Sequence, residues 1–326
     1  MVDSSRSAAR VTLCAEWSRA QGIDPIGTAG SYAGYLLVEW PLPWPRDAGD
    51  VDELGRARDA AAAQGLRLQL LVPEHGRSRR VTLYRRPTGA FTRFDGRELQ
   101  VPVPAQVRAG VPAHRRAVGA AVGERLGRAA DELLAGGGVE TGRPDFLVCT
   151  HGRRDRCCGS LGTELWEELG ASGFDGDGDG DGARLARTSH TGGHRFAATC
   201  VVLPAGTVWG LLDADALRRI AMRRGPIDDL LPRYRGCSGL GSPAAQVLER
   251  SVLAEIGWPL FDCARSVEEV GGGRLRLSAS GPAGTHAWEA TVVPDRTVSV
   301  PDCGQPIELS KKTETQYRVE GFTAVG

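Results

Sequence analysis

The chain has 326 residues, of which 41% are hydrophobic and 44 are glycine, with 40 basic and 40 acidic side chains. At ~100 to 200 residues per domain this length points to two or three domains with cores large enough to need no disulfides. Zero formal net charge leaves no global excess of positive charge to release counterions from phosphates, which removes the main electrostatic basis for binding nucleic acid or an anionic membrane.

Met1 to Trp17 lack the apolar core of a signal peptide, and no window approaches the ~18 uninterrupted apolar residues of a membrane span. The expected compartment is the cytoplasm, where the eight cysteines are expected to be free, metal-bound or catalytic rather than paired. From Arg10 to Arg115 the pattern is β-α-β-β: a strand over Tyr35–Trp40, an alanine-rich helix over Val51–Gln64, and strands over Leu66–Val72 and Val81–Arg85. The run Pro41-Leu-Pro-Trp-Pro45 is a rigid extended loop in which Trp44 is expected to plug its own domain surface. A helix over Arg115–Ala135 stops at Gly136-Gly-Gly138, which marks a domain boundary.

The second segment opens with the buried strand Phe146–Cys149, a polar loop and a helix over Ser160–Leu169. Strands over Ala183–Ser189, Phe196–Leu203 and Val208–Leu212 follow, then a helix over Asp213–Arg224 capped by Asp213 or Asp215. Between them Gly173–Gly182 holds four Asp-Gly repeats. Started at Asp175 or Asp177, a calcium loop would place Ala186 or Thr188 where a bidentate glutamate is required, so the tract reads as a surface loop. The last segment holds a helix over Ala244–Ile256 and hairpins through Leu275, Trp288, Thr291 and Val298. The implied division is 1–138 (an N-terminal α/β domain), 139–225 (a second α/β domain) and 226–326 (a C-terminal α+β region).

Neither lysine, Lys311 or Lys312, sits in a P-loop, and there is no G-x-S-x-G, H-E-x-x-H or Cys-x-x-Cys. Gly239-Leu-Gly241-Ser-Pro-Ala244 matches a loose dinucleotide fingerprint but lacks a preceding strand. What remains is a concentration: three of the eight cysteines and three of the six histidines fall between Cys149 and His194. Cys149 ends a strand and Cys158 opens a helix, so both thiols can face one loop, where the helix N-terminus, Arg153, Arg154 and Arg156 favour thiolates. His190 and His194 flank Gly192-Gly193, which lets a tight loop wrap a bulky group. Two thiolates and two imidazoles suit either a closed zinc site or a [2Fe-2S] cluster, and the zinc-stabilised Cys2His2 module without redox activity stays open as the alternative.

The stretches Phe146-Leu-Val-Cys-Thr-His-Gly-Arg-Arg-Asp-Arg-Cys-Cys-Gly159, His190-Thr-Gly-Gly-His-Arg-Phe-Ala-Ala-Thr199 and Leu203-Pro-Ala-Gly-Thr-Val-Trp-Gly210 resemble the sucrase/ferredoxin-like family, and Cys14-Ala-Glu-Trp17 and Tyr35–Asp47 resemble its N-terminal part. The resemblance implies a thioredoxin-like ferredoxin domain at 139–225 in which Cys149, Cys158, His190 and His194 bind a bis-histidinyl, non-Rieske [2Fe-2S] cluster. It favours Cys158 over its neighbour Cys157, left as a spare thiol, and makes His151 structural rather than a ligand. Arg153 and Asp155 read as loop scaffolding able to hydrogen-bond near the sulfurs. Cys14, Cys200, Cys237, Cys263 and Cys303 are expected to be apolar core residues. The function implied is one-electron transfer to or from an unidentified redox protein or small molecule, with no catalytic residues. Sucrose cleavage, suggested by the family's name, would need two facing carboxylates where the ligand loops offer only Asp155. The β-α-β-β order of the first segment echoes the second and fits a degenerate, ligand-free copy.

Overall fold

The computed structural model describes residues 13–74, 76–103, 112–174, 182–303 and 309–325; 175–181, the heart of the Asp-Gly tract, lie outside the described residues. After a short helix α1 (Cys14–Ala20) the chain builds β1 (Gly34–Glu39), α2 (Gly55–Ala63), β2 (Leu66–Leu71), β3 (Ser78–Arg85), β4 (Asp95–Pro102) and α3 (Pro112–Leu134). After the two-residue strand β5 (Val139–Glu140) it continues with β6 (Asp145–Cys149), α4 (Thr163–Ala171), β7 (Arg184–Thr188), β8 (Cys200–Leu203), β9 (Thr207–Trp209) and α5 (Ala214–Met222). The remainder is β10 (Tyr234–Cys237), α6 (Pro243–Ile256) and the strands β11 (Ala264–Glu269), β12 (Arg274–Gly281), β13 (Gly284–Val300) and β14 (Lys312–Val325). The fold is mixed α/β.

The first ten strands form one sheet in the order β10-β9-β8-β6-β7-β2-β1-β3-β4-β5. It contains the same unit twice. β1 and β2 run parallel with α2 between them, β3 lies antiparallel on the other side of β1, and β4 antiparallel beyond it. β6, β7, β8 and β9 repeat that order and sense with α4 as the crossover. The two units meet edge to edge through the antiparallel pair Leu71–Thr188. The central strands are covered on both faces, so β1 and β6 are buried along their whole length. That is why Gly34-Tyr-Leu-Leu-Val-Glu39 and Asp145-Phe-Leu-Val-Cys149 read as continuous apolar runs rather than alternating ones.

Expected elements are recovered except around Phe196–Leu203. There the backbone first makes a tight helical turn over His194–Phe196, and the strand starts only at Cys200. α1 and β4, which have no clear periodic signal, lie at the periphery or carry mixed polar patterns. β10 is a correction: a strand does precede Gly239-Leu-Gly241-Ser-Pro-Ala244, over Tyr234–Cys237, but it is an antiparallel edge strand paired only with β9, so the parallel βαβ setting of a dinucleotide fingerprint is still missing. The Asp213 carboxylate accepts from Ala216 N and caps α5. Trp44 is buried at 1% exposure, with its indole N–H donating to Trp40 O at 2.9 Å.

The last four strands form a second, antiparallel sheet in chain order. α6 lies between the two sheets, started by Ser242, whose hydroxyl accepts from Ala245 N, and by Pro243 in the first turn. Its Glu249 is wholly buried yet satisfied, receiving the Tyr234 hydroxyl at 2.8 Å and the Arg265 guanidinium. No helix among the described residues is long and apolar enough to cross a membrane.

Candidate metal centre

β6 delivers Cys149 to the end of the sheet facing the α4 crossover. Cys158 opens a wide, π-type turn over Cys158–Gly162 that runs into α4. This turn can sit on the strand end because residue 162 is glycine: a Cβ there would stand 1.9 Å from Cys149 O. Both thiols are completely buried, and together with a ring nitrogen of His190 their ligand atoms lie within 4.8 Å of one another. The pair polarises itself. The Cys149 thiol is held well below its ordinary range, first by the hydrogen bond from Cys158 and then by His190, and Cys158 is pushed well above it by the same bond and by burial. Soft metals bind the thiolate form of such a pair, with release of its protons.

The second loop leaves β7 at Thr188. β2 of the first unit holds it: the Arg67 guanidinium and the Gln69 amide donate to His190 O at 2.9 and 3.3 Å, and Leu70 N donates to Ser189 Oγ at 3.0 Å. Gly192 and Gly193 then take left-handed conformations, φ +85° and +70°. Arg235, on β10, fills the space a side chain would need; a Cβ on Gly193 would lie 2.5 Å from its guanidinium. That guanidinium is buried, donates to Gly192 O at 3.0 Å and to Thr28 O at 2.7 Å, and is pushed down to about 10 by burial and by the nearby Arg195. The glycine pair therefore lets the loop close down over a buried cation, and His194 follows at the start of the next turn.

Asp155 stands between the imidazoles. Its carboxylate oxygens lie 3.1 Å from His190 Nδ1 and 3.8 Å from His194 Nδ1, and the two rings are 6.4 Å apart, centre to centre. His190 Nδ1 is buried, and its one close polar neighbour is that carboxylate, with no well-aligned hydrogen bond to it. His194 Nδ1 lies 3.0 Å from Cys14 Sγ. Burial alone would lower the His194 pKa, but bonds to the neighbouring thiols and the charge of Asp155 outweigh it and push it up to about 9.

His151 is a structural residue: one ring nitrogen meets Pro45 O at 2.8 Å and the other accepts from His190 N at 3.3 Å, with the ring edge-on to Trp44. The Trp44 loop of the first unit thereby braces the loop between Cys149 and Cys158 of the second.

Of the four ligands expected from the sequence, the structure brings Cys149, Cys158 and His190 into one group and places His194 beside it. Cys157 is not a bystander. Its sulfur meets those of Cys14 and Cys303, two cysteines read from the sequence as core residues. Cys14 is indeed buried, as are Cys200 and Cys237, whereas Cys263 and Cys303 are only half-buried. Cys14 and Cys303 carry no local spacing signal that ties them to the centre, because they reach it from opposite ends of the described chain. The described residues thus hold more than one cysteine/histidine group able to take a metal.

No curated protein and no solved structure matches the chain. A family match, by contrast, runs from just before β1 to the middle of β10 and takes in Cys149, Cys158, His190 and His194 but neither Cys14 nor Cys303. Over residues 25–236, and therefore over most of its length, the chain matches the sucrase/ferredoxin-like family, to which it belongs.

Proposed function

We propose that the protein is a one-electron carrier that binds a [2Fe-2S] cluster through Cys149, Cys158, His190 and His194 in a thioredoxin-like domain formed by the second unit of the sheet. The observation that carries this reading is the distribution of the donors. Two buried sulfurs converge with His190, while His194 falls outside that group and sits on the other side of Asp155. A spread donor set favours a group with more than one metal atom over the single zinc ion of a closed Cys2His2 module.

When bound, such a cluster supplies reversible one-electron transfer. The chain's own part is to set polarity and access. The two thiols are fully buried, whereas His190 and His194 keep 17% and 16% of their side-chain surface exposed. The imidazole side is then the side open to a redox partner, protein or small molecule, and to protons. Asp155 sits where it can hold a proton on either ring. Neutral imidazoles in place of two thiolates leave the centre less negative and raise its potential above the roughly −400 mV of plant-type ferredoxins.

Iron and acid-labile sulfide analysis of anaerobically purified protein, followed by redox titration across pH, tests this. The expected outcome is iron and sulfide in equal amounts and a potential that falls as pH rises through the imidazole pKa values of the oxidised state, by about 59 mV per pH unit for each proton released. Zinc without sulfide, or a potential indifferent to pH, overturns the reading.

A further inference from the structure

We propose that Cys14, Cys157 and Cys303 form a second metal site, separate from the Cys149–Cys158–His190 group, that takes one soft divalent ion, zinc, on three thiolates. Their sulfurs are 3.0 Å (Cys14–Cys157), 3.3 Å (Cys157–Cys303) and 3.5 Å (Cys14–Cys303) apart. A triangle with those edges lets one point stand about 2.3 Å from all three, the ordinary zinc–sulfur length. The fourth position of a four-coordinate ion has a donor that the cluster does not use: an Asp155 carboxylate oxygen lies within 4.8 Å of Cys303 Sγ.

Apolar packing accounts for part of this arrangement but not all of it. Cys14 and Cys157 do pack with Ala15 and Ala197. Packing, however, gives no reason for three thiols from separate parts of the chain to turn toward one another with an imidazole and a carboxylate at the rim. The vicinal pair explains how two sites can coexist. Cys157 is in helical conformation (φ −61°, ψ −44°), and successive side chains there point about 100° apart. Cys158 therefore faces Cys149 while Cys157 faces Cys14. Cys157 N also donates to Cys303 Sγ at 3.3 Å, the kind of outer contact that orients a thiolate ligand. Cys14 and Cys157 are buried and Cys303 is half-buried, which leaves a way in for an ion. Such an ion would fasten α1 and the segment after β13 to the ligand loop.

The test is metal analysis of the full chain purified under anaerobic, reducing conditions, loaded with Zn2+ and then with Co2+ as a spectroscopic probe. Cys303→Ser and Cys14→Ser are the variants, Cys149→Ser is the control, and thermal melts confirm folding of each. The expected result is zinc bound at the trio, with three thiols protected from alkylation and a cobalt–thiolate charge-transfer band. Cys303→Ser and Cys14→Ser each weaken zinc binding there by at least about 100-fold, beyond the loss of an outer contact, and leave iron and sulfide content unchanged; Cys149→Ser loses iron and keeps that zinc. Absence of zinc from the trio, a Cys14–Cys157 disulfide in the reduced preparation, or loss of iron in place of zinc on changing Cys303 overturns the proposal. Because zinc at the trio is read separately from iron and sulfide, failure of the iron-sulfur reading leaves this result distinct.

Discussion

In the first unit of the sheet, β1 ends at Glu39 opposite Leu71 of β2; in the second, β6 ends at Cys149 opposite Thr188 of β7. Equivalent strand ends thus carry a buried carboxylate in one unit and a buried thiol in the other. Glu39 accepts from Arg80 N at 2.9 Å and stays inside its own unit. The loop after it, Trp40-Pro-Leu-Pro-Trp-Pro45, is stiffened by proline and closes with an indole; the loop after Cys149 is polar and closes with two more cysteines. One scaffold therefore serves two purposes. The first unit packs Trp44, Arg67 and Gln69 against the loops of the second, so the copy without a cysteine at its strand end works as the mould for the copy that has one. Chemistry on α/β sheets gathers at the carboxyl ends of strands because the loops there can vary without disturbing the sheet.

The sharpest way to separate the two units is to exchange their strand-end residues for inert ones. Cys149→Ser is expected to abolish metal uptake by the Cys149–Cys158–His190 group, read as metal content, whereas Glu39→Gln leaves it unchanged; equal losses would break the comparison. Next in size, Trp44→Ala in the first unit opens a cavity expected to cost about 3–5 kcal/mol in urea unfolding. By freeing His151 it should also weaken metal binding in the second unit by about 10–100-fold. If metal affinity stays the same, the first unit is not a brace. Gly193→Ala replaces a left-handed glycine pressed on Arg235 and should lower stability by about 1–2 kcal/mol from backbone strain alone. The same change at exposed Gly170, which has open space and no left-handed φ, should not be destabilising.

The smallest effect concerns pH. Burial raises the Glu39 carboxyl above its ordinary 4.5 despite the bond from Arg80. Between 4.5 and that raised value the folded chain holds a proton that the unfolded chain has released, so this contribution to stability is present below pH 4.5 and fades as pH rises through the folded pKa. Chemical denaturation of wild type and Glu39→Gln across that range should show the extra slope in wild type only.

Much of the site was legible along the chain. Cys149 at the end of an apolar run, Cys158 at a helix start and the Gly192-Gly193 loop between two histidines are local patterns, and local patterns follow from backbone sterics and hydrophobic periodicity. The strand–helix–strand order of both units was readable for the same reason, as was the burial of Trp44 in its proline run. The shortened β8 was not, because Phe196 is apolar and periodic yet belongs to a turn that Gly193 and Arg235 impose from outside the segment.

Only the tertiary structure decided that Leu71 pairs with Thr188, joining the two units into one sheet. It also decided that His194 faces Cys14, and that Cys14 and Cys303, 289 residues apart, meet at Cys157. A thiol has no periodicity and no partner requirement that its neighbours in sequence reveal. Whether it packs as a small apolar group or gathers with others is set by which distant segments the sheet and α6 bring within reach.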